Sequence, residues 1–109
     1  MIFVFKHVTV EAEYDGDTFH AYIDQGCSTY RRQRVRMHGV SAVELDKPGG
    51  TEARDLIAAL IPVGEAVELT SHKWTYDRID CDVVRVRDGL DVNKAATQTL
   101  RDHGLEGGR

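Results

Sequence analysis

The sequence has few cysteines, no metal-ligand spacing and no long apolar run. Only two of its 109 residues are cysteine, and Cys27 and Cys81 form no CxxC pair and no zinc-type spacing with the five scattered histidines. We therefore expect reduced, structural thiols and no transition-metal site. The longest apolar runs, Met1–Phe5 and Leu56–Val63, are shorter than the roughly 18 residues of a membrane helix. No membrane partner is expected.

The N-terminal segment lacks the features of a secretory signal. No basic stretch precedes its apolar residues and no small-residue cleavage site follows them, so we interpret it as a first strand and expect a cytoplasmic protein. Hydrophobic residues make up 41% of the chain, which is enough for one ordinary core. Because neither a repeat nor an internal linker is visible, residues 1–109 are predicted to form a single domain, and a monomer is expected.

An excess of positive charge is also missing. The net charge of −4 argues against a protein that binds duplex DNA through a broad basic surface. One short segment, residues 31–36, is nevertheless basic. Taken alone, it is most simply the solvated face of a strand. A few focused arginines within an acidic protein also suit a site that binds one or two phosphates.

Five segments have the alternating apolar pattern or the β-branched and aromatic composition of strands. They are residues 2–14, 17–24, 30–38, 66–71 and 78–87. In the third segment, Arg32, Arg34 and Arg36 share one face, and Val35 and Met37 share the other. An Asp-Gly turn separates the first two segments, and residues 25–29 predict a hairpin between the second and third.

Two further segments have helical patterns. A loop over 39–50 leads to a helix that begins near Thr51 and stops at Pro62. A last helix is predicted from 94 to about 103, with Asn93 as its N-cap and Gly104 as a left-handed C-terminal cap. Three strands, a helix, two strands and a helix predict a mainly β fold with α (α+β). This is a five-stranded Greek-key OB-fold barrel with a helix between strands 3 and 4 and a C-terminal helix. The pattern alone leaves another small α+β barrel equally possible.

Several polar residues have the types that hydrolysis of a phosphodiester requires. Negative charge develops on the phosphate oxygens and must be met by cations, a water needs a base, and a divalent ion is often held by carboxylates. Three segments supply such groups: Asp15–Thr18, Arg36–Glu44 and Tyr76–Arg78. Arginine suits this role better than lysine, because its planar fork binds two phosphate oxygens together.

These segments resemble the staphylococcal nuclease (thermonuclease) family, and the likeness runs from about Val4 to Leu105. It includes the DGDT turn, an arginine eight residues before a loop glutamate, a Tyr-x-Arg before the fifth strand, and a closing Val-Asn…Gly-Leu. One DGDT alone is a weak signal, whereas the ordered set is specific. The resemblance implies an OB-fold barrel that cleaves DNA and RNA with a calcium-held water and little sequence preference.

The resemblance also implies roles for individual residues. Arg36 corresponds to the arginine that holds the scissile phosphate, and Glu44 to the loop glutamate usually assigned as general base. Arg78 corresponds to the second arginine, which stabilises the pentacoordinate state or the leaving oxygen. Asp17 corresponds to the first calcium-binding carboxylate, and Ala42 to the residue that offers its main-chain carbonyl to the ion.

The sequence departs from the family pattern in the calcium loop and before the fifth strand. Ser41 replaces the second calcium carboxylate, and Val43 replaces a proline, so weakened calcium binding is expected. Asp77 adds a negative charge beside the second arginine, in a segment that has lost the family's substrate-facing lysine. The remaining candidates for substrate binding are then Tyr76, Arg34 and Lys73.

Each of these residues also has a purely structural interpretation. The first arginine could be an exposed strand residue and Glu44 a loop solubiliser, while Arg78 could form a surface ion pair with a neighbouring aspartate. Two other functions stay open. One is a non-catalytic module that binds single-stranded nucleic acid through arginines and stacking aromatics such as Tyr30, Trp74 and Tyr76. The other is a protein-interaction domain with a decayed site.

Overall fold

The computed structural model describes residues 2–75 and 77–107. Over these residues the chain forms six strands and two helices. They are β1 (Val4–Glu13), β2 (Thr18–Asp24), β3 (Tyr30–Met37), α1 (Gly50–Leu60), β4 (Ala66–Trp74), β5 (Ile79–Arg85), β6 (Leu90–Asp91) and α2 (Val92–Asp102).

The first five strands close into a mixed barrel. They follow the order β3-β2-β1-β4-β5 with antiparallel neighbours, and a parallel pairing of β3 with β5 closes the circle. In that pairing Val35 faces Ile79 and Met37 faces Cys81. The predicted OB-fold barrel is confirmed, with one helix between strands 3 and 4 and one helix at the C-terminal side. The two-residue strand β6, which extends β5, is an addition that the pattern did not predict.

The alternation in the sequence correctly predicts which side chains fill the barrel. In β3, Val35 and Met37 are fully buried, while Arg34 and Arg36 remain partly exposed on the other face. The hairpin over residues 25–29 is also confirmed, since Gln25 N donates to Thr29 O at 2.9 Å. The arginine face of β3 is therefore fixed by the burial of the opposite face.

Strand β4 is longer than predicted. The apolar alternation indicated Ala66 to Ser71, but pairing with β5 continues to Trp74 after a register shift between Ser71 and Lys73. A bulge places an unpaired residue in a strand and bends it, so the alternation read from the sequence breaks at that point although the pairing does not. The extension carries Lys73 and Trp74 towards the segment that precedes β5.

The predicted N-cap of the last helix is wrong. The cap is Asp91, whose Oδ1 accepts a hydrogen bond from Lys94 N at 3.1 Å. A carboxylate there also complements the positive end of the helix dipole. Asn93 lies inside the helix, and its side chain accepts from Val83 N at 2.8 Å and donates to His38 O at 2.9 Å, so it ties α2 to β5 and to the end of β3. The left-handed Gly104 (φ 66°) is confirmed.

The two cysteines occupy different environments. Both are free; Cys81 is buried in β5, and Cys27 is exposed in the β2–β3 turn. Burial, with a contribution from the charges of Asp80 and Asp82, raises the pKa of the Cys81 thiol to about 12. The expected structural role therefore holds for Cys81, whereas exposure contradicts it for Cys27.

Among the described residues there is no helix with the length and apolar character needed to cross a membrane.

Candidate active site

One end of the barrel carries a cleft of about 310 Å³. It lies where the β1–β2 turn, the end of β3, the loop over 41–47 and the segment before β5 meet. The lining residues are Tyr14, Asp15, Asp17, Thr18, Arg34, Arg36, Ser41, Ala42, Val43, Glu44, Lys47, Arg78 and Gly107. All three predicted catalytic residues line this one cleft, together with the three predicted metal-site residues. The fold therefore brings together groups that are far apart in the chain.

One predicted substrate-binding residue, Lys73, is not part of this lining. Lys73 lines an adjoining cleft of about 210 Å³, which shares Arg36 and Arg78 with the first. Tyr76 lies outside the described residues. Arg34 does line the main cleft, but its Nη1 lies 3.5 Å from Asp77 Oδ2 and its guanidinium covers the ring of Tyr14 at 4.9 Å. Arg34 is thus held at the rim by two partners.

Arg36 is held in place by backbone and side-chain oxygens. Its Nη2 donates to Val40 O at 3.0 Å and lies 3.9 Å from Asp17 Oδ2. The two side chains are only 16% and 14% exposed, so this pair is screened less by water than a surface ion pair. Thr18 and Arg36 are direct partners across the β2–β3 ladder, which fixes the arginine next to the turn. The guanidinium is therefore oriented before any ligand arrives.

The DGDT turn connects to the loop that carries Glu44 through Asp17. Asp17 Oδ2 accepts from Ala42 N at 3.2 Å, and its Oδ1 accepts from the Thr18 hydroxyl at 3.0 Å. The bond that stabilises the turn itself comes from Asp15, whose Oδ1 accepts from Asp17 N at 3.0 Å. Asp17 is therefore left to face the cleft and the loop.

Two carboxylates lie close together at this turn. Burial raises the pKa of Asp15 to about 6, and the hydrogen bond and negative charge of Asp17 act in the same direction. The DGDT motif includes Asp15, but the sequence alone predicted no role for this residue. A cation placed beside the pair would relieve the repulsion between the two carboxylates.

Close backbone contacts position the loop over 41–45. A methyl group on Gly16 would lie 2.5 Å from Ala42 Cβ, and one on Gly50 would overlap Glu44 O and the backbone of Leu45. On the other side, Val43 is half-buried against the core and its N donates to Leu105 O at 3.0 Å. The loop that presents Glu44 is therefore confined between the turn, the start of α1 and the tail, although it lacks the proline of the family pattern.

Arg78 is exposed at the mouth of the cleft, and its backbone is fixed. Its carbonyl accepts from Thr75 N at 2.9 Å and from the Thr75 hydroxyl at 3.0 Å. The nearby aspartates contact other side chains: Asp77 Oδ2 lies 3.5 Å from Arg34 Nη1, Asp80 Oδ2 lies 3.2 Å from His38 Nδ1, and Asp82 Oδ2 lies 2.9 Å from His72 Nε2. Within residues 2–75 and 77–107, Arg78 forms no ion pair. Its interpretation as half of a surface ion pair therefore has no support.

The cleft has a small formal excess of positive charge in an acidic chain. Four cationic side chains line it, from Arg34, Arg36, Lys47 and Arg78, together with three carboxylates from Asp15, Asp17 and Glu44. The chain as a whole carries a net charge of −4. Lys47, Tyr14 and Gly107 were not predicted to lie at the site, since they reach the cleft through the folding of a loop, the end of β1 and the tail. The one available signal was that Tyr14 directly precedes the DGDT turn.

Oxygen atoms are the ligand type that a hard cation such as calcium prefers, but only one of the three oxygen ligands at the cleft is charged. Asp17 offers a carboxylate, Ser41 a hydroxyl and Ala42 a carbonyl, and all three line the cleft. Calcium takes six to eight oxygen ligands. In the part of the chain that the structure describes, no group of three or more histidine, cysteine, aspartate or glutamate side chains is arranged to hold a metal. A weak calcium site completed by water fits these residues better than a tight one.

The chain was compared with models of protein families and with curated proteins. No family model matches the chain, and no curated protein matches it. The resemblance to the staphylococcal nuclease family therefore depends on the sequence motifs alone.

Proposed function

We propose that this protein hydrolyses phosphodiester bonds of single-stranded DNA or RNA, with a divalent cation, in the manner of a thermonuclease. The observation that carries the proposal is that Arg36, Glu44 and Arg78 line one cleft of about 310 Å³. That space is about ten times the volume of one water molecule in the liquid, so it accepts a phosphoryl group and an attacking water. The resemblance to the staphylococcal nuclease family supports the same chemistry. We expect it to act as a cytoplasmic monomer.

The two arginines would stabilise the charge that develops on the phosphate. Arg36 is oriented by Val40 O and Asp17, so little reorganisation is needed when a phosphate binds. Arg78 has no competing carboxylate partner among the described residues, which leaves its fork available for two phosphate oxygens. Glu44 would orient or deprotonate the water that attacks phosphorus.

The cation would be calcium, held by Asp17 and by the oxygens of Ser41 and Ala42. When bound, it supplies charge that polarises the phosphoryl group and favours deprotonation of a water. Because Ser41 contributes a neutral hydroxyl, we expect the ion to bind weakly, with a dissociation constant on the order of 10⁻⁴–10⁻³ M. Asp15, next to Asp17, would add negative charge close to the ion without contacting it.

Cleavage of end-labelled single-stranded DNA and RNA in millimolar calcium at alkaline pH tests the proposal. We expect cutting that chelation abolishes, and a loss of about 10²- to 10⁴-fold in rate for Glu44→Ala and Arg36→Ala. Glu52→Ala on α1 and Arg87→Ala after β5 serve as matched controls, because both residues are exposed and neither lines the cleft. If the unmodified protein leaves both substrates uncut, or if the control variants lose as much activity, the proposal is wrong.

A non-catalytic binding module is the second candidate. It is favoured by an exposed aromatic surface near β4, where the Arg31 guanidinium lies 5.4 Å from the centre of the Trp74 ring. Arginine and aromatic side chains together bind single strands by stacking and charge. Salt-dependent binding of an oligonucleotide without cleavage, unchanged in Glu44→Ala and weakened in Trp74→Ala, would favour this function over hydrolysis.

A further inference from the structure

A second cleft adjoins the candidate active site. It has a volume of about 650 Å³ and is lined by Tyr14, Asp15, Glu44, Leu45 and Asp46. Tyr14, Asp15 and Glu44 also line the first cleft, so the two share a wall. A molecule whose phosphate lies between the arginines would therefore extend its neighbouring group into this second space.

The shared wall presents an aromatic ring that is held in orientation. Tyr14 is 47% exposed, and its N donates to Thr18 O at 3.2 Å, which anchors it to the turn. The Arg34 guanidinium lies 4.9 Å from the ring centre, and the His20 ring stacks beside it at 6.0 Å and 18°. Because the side chain is still 47% exposed beside these two neighbours, part of its surface is open to a nucleobase next to the phosphate site.

The rest of the second cleft combines one apolar side chain with hydrogen-bond acceptors. Leu45 is 38% exposed and offers an apolar surface. Asp15, Glu44 and Asp46 contribute carboxylates, and none of its lining residues is lysine or arginine. Carboxylates accept hydrogen bonds from the exocyclic amino groups of cytosine, adenine and guanine. Thymine and uracil have no amino group and offer only the N3–H donor, which lies between two carbonyl oxygens that a carboxylate repels.

We infer that the Tyr14–Leu45 cleft is a nucleobase subsite for the nucleoside attached to the scissile phosphate, and that its carboxylates favour bases with an exocyclic amino group. This inference rests on the proposed function. It assigns Tyr14 to substrate positioning, Leu45 to the apolar contact and Asp46 to base selection. Glu44 keeps its role towards water at the shared wall.

Equilibrium binding of small bisphosphates tests the subsite without requiring cleavage. The probes are ribose 3,5-bisphosphate, which has no base, and the 3′,5′-bisphosphates of cytidine and uridine, each titrated by calorimetry in calcium. We expect cytidine bisphosphate to bind about 5- to 100-fold more tightly than the ribose compound, with uridine bisphosphate between them. The difference between the ribose and cytidine compounds measures the base contact alone.

Three variants locate the effect. Tyr14→Ala should remove most of the difference between the cytidine and ribose compounds, and this difference is compared within each variant because the ring of Tyr14 also contacts Arg34 at the phosphate cleft. Tyr14→Phe should retain the difference because stacking does not need the hydroxyl. Asp46→Asn should bring the cytidine and uridine affinities together. Tyr22→Ala is the matched control, since Tyr22 is an exposed tyrosine of β2 that lines neither cleft.

The possible results separate this inference from the proposed function. If ribose bisphosphate binds but the base adds nothing, or if Tyr14→Phe loses as much affinity as Tyr14→Ala, the subsite is refuted and the phosphate cleft survives. If no bisphosphate binds, both the phosphate cleft and the subsite are refuted. A thermal melt of each variant checks folding, and because the ring of Tyr14 is half exposed we expect little change there.

Discussion

At the scale of single residues, Glu13 is a carboxyl group that the barrel buries without a partner. It lies in β1 opposite the buried Phe19, and within the described part of the chain neither carboxyl oxygen has a hydrogen-bond partner. Burial raises its pKa from 4.5 to about 7. At neutral pH the native state therefore either holds a proton there or contains an unpaired buried charge.

This buried carboxyl predicts a loss of stability as pH rises. Because the folded protein binds the proton more tightly than the unfolded chain, the stabilisation is fully present below about pH 4.5 and is lost as pH passes about 7. Relative to Glu13→Gln, the unmodified protein should lose on the order of 1 to 2 kcal/mol of unfolding free energy across this window, since solvent still reaches part of the side chain. Urea unfolding at both ends of the window, with Glu52→Gln as control, measures it. If the difference in unfolding free energy between the unmodified protein and Glu13→Gln is the same at both pH values, the raised pKa of Glu13 is contradicted.

Ser41 makes a second prediction at this scale. It lines the cleft beside Asp17 and offers a hydroxyl where a carboxylate would bind a calcium ion more tightly. Ser41→Asp should lower the calcium concentration that half-saturates cleavage, by about 10-fold for one added charged ligand. Ser28→Asp in the exposed β2–β3 turn adds the same charge away from the cleft. If both variants shift the calcium dependence equally, Ser41 does not face a cation.

At the scale of secondary-structure elements, the start of α1 determines the position of the loop that carries Glu44. Gly50 is the first residue of α1 and is buried against Glu44 O and Leu45. A side chain at this position has no room, so the helix and the loop that carries Glu44 can approach only because residue 50 is glycine.

Gly50→Ala should therefore destabilise the protein although alanine is the better helix former. We expect a loss of about 1 to 3 kcal/mol from the forced displacement, and a lower cleavage rate because Glu44 moves with the loop. Thr51→Ala is the control, because its exposed side chain occupies the same helix end. Chemical unfolding and a single-turnover rate separate the two effects. A stabilised and fully active Gly50→Ala protein would show that the contact does not constrain the loop.

Some features of the strands and helices could be predicted from local sequence patterns and others could not. Alternation correctly predicted the inward face of β3, with Val35 and Met37, because burial enforces it. It could not predict the continuation of β4 past Ser71, since a bulge breaks the alternation. Nor could local rules choose Asp91 over Asn93 as helix cap, because tertiary hydrogen bonds to Val83 and His38 occupy the asparagine.

At the scale of the whole molecule, the closure of the barrel creates the site. The parallel pairing of β3 with β5 places Arg36 directly beside Asp80, close to where Arg78 leads into β5. The sequence could indicate Arg36, Glu44 and Arg78 through motif spacing, and the fold brings them to one cleft. Lys47 was missed because its nearness to that cleft is a property of tertiary structure that no local pattern encodes, whereas Tyr14 had one local signal, its position directly before the DGDT turn.

The central claim is that Arg36 and Glu44 act together on one phosphoryl centre. A double-mutant cycle on the calcium-dependent cleavage rate of a single-stranded oligonucleotide tests it most directly, using Arg36→Ala, Glu44→Ala and the combined variant. The account predicts that the combined loss is close to the larger single loss, because residues that act as a unit are strongly non-additive. Losses that multiply independently, or an unmodified protein without cleavage activity, would contradict it.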